Sequence, residues 1–129
     1  MRFLLDSHFV VWWLGANPKL GKTQLLIERS DCAVSVASLI ELRMKAISGK
    51  LKMPRDDSAH LQLTAEGFAI IGIMAEHVEE SARYENSHAD MFDRLLLATA
   101  QAERRILLTR DEALLTLAKK ARLDFVAEG

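Results

Sequence analysis

The chain has 129 residues, half of them hydrophobic and 27% charged, with a formal net charge of −1. That length suits one domain with a sizeable core, and the balance excludes a strongly basic nucleic-acid binder and a low-hydrophobicity disordered chain. The single cysteine, Cys32, excludes an intramolecular disulfide and a Cys-based zinc site. In chain order, residues 2–6 read as a buried strand. The stretch "SHFVVWWLG" (7–15) reads as a helix, with Ser7 as N-cap and Gly15 near its end. "NPKLGK" is a turn, followed by a short helix up to Ser30. "CAVSV" (32–36) is a second apolar strand, in which Cys32 acts as a small buried hydrophobe. Residues 38–51 read as a helix whose apolar stripe is Ile40, Met44, Ile47 and Leu51. "KMPRDDS" is a connector around Pro54, and another helix falls within 57–67.

The second half begins with a third strand, "FAIIGI" (68–73), and a polar helix (75–86) that "SHADMF" interrupts. "DRLLLATAQAER" (93–104) is rich in strong helix formers and is the clearest helix. "ILLT" (106–109) is a strand, 111–122 a helix, and "DFVA" (124–127) a last short strand. Strands alternating with helices predict an α/β fold over residues 1–129: a single α/β/α sandwich with a central, mainly parallel sheet of four to five strands. The longest apolar run, Phe9 to Leu14, is too short to span a bilayer, and no secretory signal is visible. The expectation is a cytoplasmic protein with no membrane partner. A helix apolar all round is buried on more than one side, so Trp12 and Trp13 face either the domain's centre or another chain.

In parallel α/β sheets, ligands bind outside the carboxyl ends of the strands. Four acids stand at helix beginnings, three of them near one sheet edge: Asp6, Glu41, Asp93 and Asp111. Local roles compete for each. Ser38 to Glu41 and Thr109 to Glu112 have the form of capping boxes, and Asp90 and Asp93 fit N-cap and N3 positions. First-turn acids also gain roughly 0.3–1 kcal/mol from the helix dipole. Against this, Asp93 shares a face with Leu96, Leu97 and Ala100, and so points inward. Two carboxylates about 5 Å apart repel by roughly 3 kcal/mol at an effective dielectric near 20, so a cluster calls for a cation. Oxygen-only ligands suit Mg²⁺ or Mn²⁺. The four histidines, His8, His60, His77 and His88, show no metal-ligand spacing.

The blocks "LLDSH", "SVASLIEL", "DMFDRLLLATA" and "ILLTRD", in this order, resemble the four blocks of PIN-domain ribonucleases, and most closely the VapC-like toxins of bacterial type II toxin–antitoxin systems. The resemblance implies an α/β/α sandwich and a Mg²⁺- or Mn²⁺-dependent endoribonuclease that leaves a 5′-phosphate and a 3′-hydroxyl. Asp6, Glu41, Asp93 and Asp111 match the acidic quartet, as catalytic residues and metal ligands. It also implies a cognate antitoxin partner and a homodimer. Ser7 and Thr109 are candidates for orienting ligands or water, and Arg94, Arg43, Lys45 and Arg110 for contacts to RNA phosphates. Two rivals on similar sheets fit poorly. A haloacid-dehalogenase-like phosphatase needs Asp-x-Asp where this chain has Asp6-Ser7-His8, and a receiver domain needs a lysine after its last strand. The remaining alternative is a catalytically silent PIN-like module that only binds protein or nucleic acid.

Overall fold

The computed structural model describes residues 1–52, 58–88 and 90–129, so the expected connector around Pro54 lies outside the described residues. Among the described residues, five strands form the sheet: β1 (Arg2–Leu5), β2 (Asp31–Ser35), β3 (Ala69–Ile71), β4 (Ile106–Thr109) and β5 (Val126–Glu128). Among the same residues, seven α-helices accompany them: α1 (Ser7–Leu14), α2 (Thr23–Glu28), α3 (Val36–Ile47), α4 (Ala59–Ala65), α5 (Ala75–Ser81), α6 (Met91–Ala102) and α7 (Glu112–Ala121). The strand order is β3-β2-β1-β4-β5, and every pairing is parallel.

Strand alternation divides the core into two layers. Phe3 and Leu5 of β1 join Phe9, Val10, Ile27, Leu42 and Leu63 on the α1–α4 side of the sheet. Leu4 faces the other way, onto Leu96, Leu97, Ala100, Leu114 and Leu117 of α6 and α7. The sheet is therefore covered on both faces, which is why its central strands are apolar along their middles. Among the described residues no helix is long and apolar enough to cross a membrane.

Strand order decides where a ligand can sit. Order runs one way from β1 through β2 to β3, and the other way from β4 to β5, so the reversal lies between β1 and β4. The crevice at such a reversal, at the carboxyl end, is the usual binding place in an open parallel sheet. Leu5 pairs with Leu108, which sets Asp6 beside Thr109 at that spot. At the opposite end, the buried Arg105 donates to Phe3 O, Asp31 O and Asp31 Oδ1, tying β1 and β2 together.

Four local expectations need correction. Asp6, rather than Ser7, is the N-cap of α1; its carboxylate accepts from Ser7 N–H. Helix α3 starts three residues earlier than its apparent capping box, with Ser35 as N-cap, which leaves Ser38 inside the helix. Likewise Asp111, rather than Thr109, caps α7. The α3 stripe is also reversed. Ile40, Met44 and Ile47 are exposed, whereas Ala37, Ser38 and Leu42 are buried. Asp90 does cap α6, accepting from Asp93 N–H, as its spacing suggested. Cys32 is buried, its thiol donating to Ile27 O.

Candidate active site at the carboxyl end of the sheet

Asp6 is held by the end of β1, whose ladder continues through Asp6 N–H to Leu108 O. Its side chain is only 3% exposed. One carboxylate oxygen, Oδ1, accepts from Ser7 N–H at 2.6 Å, and the other, Oδ2, accepts from the Thr109 hydroxyl at 2.6 Å. Burial holds this carboxyl above its ordinary range. The Thr109 bond, His8 and the Ser7 amide pull it down, and Asp111 pushes it further up. Thr109 also accepts, through the same hydroxyl oxygen, from Asp111 N–H at 3.0 Å. One threonine thus fixes both the acid after β1 and the turn after β4. Asp111 uses Oδ1 to cap Leu114 N–H.

Asp93 is the third residue of α6, whose N-terminus lies at the same end of the sheet. It points inward, as its face with Leu96, Leu97 and Ala100 predicted, and its side chain is 16% exposed. Burial lifts its carboxyl to about 6; the nearby Asp90 and Asp6 add to this, while the His88 bond opposes it. Asp6 therefore acts on Asp93 although the two stand 87 positions apart in the chain. His88 Nε2 lies 2.7 Å from Asp93 Oδ2, and is the partner the sequence showed least clearly. Its only signal was its place just ahead of the Asp90–Asp93 turn.

Glu41 is on the second turn of α3, half-buried, with Oε2 3.4 Å from Lys45 Nζ. Its helix reaches the site through Ser38, whose hydroxyl bonds the Ser7 hydroxyl at 2.9 Å. Among the described residues, no three His, Cys, Asp or Glu side chains are drawn together around one point. Each acid is instead engaged by a protein partner. The donor chemistry fits a hard divalent cation: all oxygen, buried or half-buried, with Asp6 repelled by Asp111 and Asp93 by Asp6.

The basic candidates separate clearly. Arg94 follows Asp93 and keeps its Nε buried without a hydrogen-bond partner among the described residues. Arg43 and Lys45 lie on α3. Arg110 is committed elsewhere. It donates to Gly129 O at 2.8 Å, Leu20 O at 3.0 Å, Thr23 Oγ1 at 3.1 Å and Lys19 O, and its guanidinium sits over the rings of Phe9 and Trp12. It is a structural clamp between the β4–α7 turn, α1 and the loop before α2.

The profile of the PIN domain family matches residues 3–120. The chain belongs to the PIN domain family. Solved structures agree in fold. A toxin–antitoxin complex from Klebsiella pneumoniae is 23% identical, covering 97% of this chain and 95% of that one, with a TM-score of 0.65. VapBC2 from Rickettsia felis, bound to a DNA fragment from its promoter, is 18% identical, covering 100% and 99%, with a TM-score of 0.69. FitAcB from Neisseria gonorrhoeae is 19% identical, covering 99% and 96%, with a TM-score of 0.62. No curated protein matches the sequence. Within this PIN domain, the charge of Asp111 acts on Asp6, and those of Asp90 and Asp6 act on Asp93.

Proposed function

We propose that this PIN domain is a metal-dependent endoribonuclease, the toxin of a type II toxin–antitoxin pair, working in the cytoplasm. The observation that carries the reading is a set of acids at the carboxyl end of the sheet: Asp6, buried at the reversal point, and the half-buried Asp93, each held above the ordinary range by burial and by a neighbouring acid. A fold that holds such groups together without a cation does so at an electrostatic cost. The neighbours in fold support the antitoxin partner, since they were solved as toxin–antitoxin complexes. A homodimer is part of the same proposal.

Asp6, Glu41, Asp93 and Asp111 would hold Mg²⁺ or Mn²⁺. When bound, the ion supplies Lewis acidity toward the phosphodiester and makes a water easier to deprotonate. The chain's own residues do the rest. Thr109 and Ser7 orient Asp6, and His88 orients Asp93. Arg94, the neighbour of Asp93 on α6, is the first candidate to grip a phosphate there. Arg43 and Lys45, the latter ion-paired with Glu41, are further candidates on α3, and Arg110 is left out because its donors are engaged internally.

The purified protein should cut RNA with Mg²⁺ or Mn²⁺, not with EDTA, and Asp6→Asn should abolish the cutting. The acids' engagement with protein partners favours one other reading, a silent binding module. No cleavage of any RNA tested, together with no metal uptake by calorimetry, would establish that reading instead.

A further inference from the structure

We infer that Ser38 is a positioning residue whose hydroxyl sets the placement of Glu41 relative to Asp6. The inference rests on the metal-dependent reading above. Asp6 is anchored by the sheet ladder, whereas α3 is tied to the sheet only at its start, where β2 ends at Ser35, and the turns beyond it depend on packing and side-chain bonds. A short chain of bonds crosses that gap. Asp6 Oδ1 accepts from Ser7 N–H at 2.6 Å, and the Ser7 hydroxyl bonds the Ser38 hydroxyl at 2.9 Å. Ser38 lies one turn before Glu41 on α3, and residues three apart on a helix share a face. Ser7 and Ser38 are 5% and 0% exposed as residues, so water has little access to the bond.

Two local explanations for Ser38 fail. It does not cap the helix, because Ser35 does so by accepting from Ala37 N–H. It is not there for helix propensity either, since alanine would fit the same space and favour the helix more. What alanine lacks is the bond to Ser7. That bond joins the element carrying Glu41 to the turn carrying Asp6.

The test is Mn²⁺ affinity, measured by calorimetry and by the electron paramagnetic resonance signal of the bound ion, on the full chain. Wild type, Ser7→Ala, Ser38→Ala, the double variant, Ser38→Thr and Asp6→Asn are compared, each with a thermal melt in EDTA. Ser38→Ala and Ser7→Ala should each weaken Mn²⁺ binding about 10-fold. The double variant should lose no more than either single one, because both remove the same bond. Ser38→Thr, which restores the hydroxyl, should recover most of the affinity. If Ser38→Ala fails to fold, Ser7→Ala reports on the same bond from the other side. Wild-type affinity in Ser38→Ala and Ser7→Ala, with Asp6→Asn binding none, overturns the role of Ser38 and leaves the metal site standing. Losses that add in the double variant overturn it as well. A wild type that takes up no Mn²⁺ overturns the metal-dependent reading, and this inference with it.

Discussion

Asp93→Asn should stabilise the metal-free protein at neutral pH. Asp93 is 16% exposed, and burial lifts its carboxyl from the ordinary 3.8 to about 6. At about 1.4 kcal/mol per pH unit, ionising it in the folded state costs up to about 3 kcal/mol more than in the unfolded chain. The folded pKa lies above the unfolded one, so the folded protein binds the proton more tightly. The favourable contribution is fully present below 3.8 and is lost as pH rises through about 6. Asparagine carries no charge to desolvate, and its carbonyl still accepts from His88 Nε2–H. In EDTA, urea melts of the two proteins should nearly coincide at pH 4. By pH 7.5 they should diverge by about 1–3 kcal/mol in favour of the variant, a rise of about 5 °C or more in Tm. Saturating Mn²⁺ should reverse the order, because only the wild type gains from binding. A variant that is less stable at pH 7.5 in EDTA, or a difference that does not change with pH, would refute the account of Asp93 as a desolvated, repelled carboxylate.

Thr109→Val removes the hydroxyl that donates to Asp6 and accepts from Asp111 N–H, so it should cost about 1–3 kcal/mol in urea melts and weaken Mn²⁺ binding at least about 10-fold in calorimetry. Arg110→Ala should destabilise by about 2–4 kcal/mol through lost hydrogen bonds and ring contacts. Arg110→Lys should recover less than half of that, because an ammonium cannot reach the same carbonyls together. Cys32, 4% exposed and pushed up to about 11 mainly by burial, should react with a disulfide reagent at pH 8 only as fast as the chain unfolds, as followed by absorbance.

Much of the site was legible because acids near helix starts are local signals. Asp90 as cap and Asp93 as an inward third residue follow from spacing alone, and the structure has both. Capping boxes misled at Ser38 and Thr109, because S/T-x-x-E says nothing about where a strand ends. Strand β2 ends at Ser35 and β4 at Thr109, so the caps fall on Ser35 and Asp111. The α3 stripe misled because helical spacing shows that a face is apolar, not which face is covered. Arg110 looked like a surface cation because its acceptors, Lys19 O, Leu20 O and Gly129 O, are backbone atoms far from it in the chain.

By itself the sequence determined the alternation of strands and helices, the burial of Phe3, Leu4 and Leu5, and the set of acids at helix starts, since each depends on residues a few places apart. Only the tertiary structure decided which of those acids act on one another. The Asp6–Thr109 bond joins residues 103 apart, and the Ser7–Ser38 bond residues 31 apart. Such contacts exist because the order β3-β2-β1-β4-β5 places β1 between β2 and β4, a choice made by the packing of two helical layers on one sheet and by no local spacing.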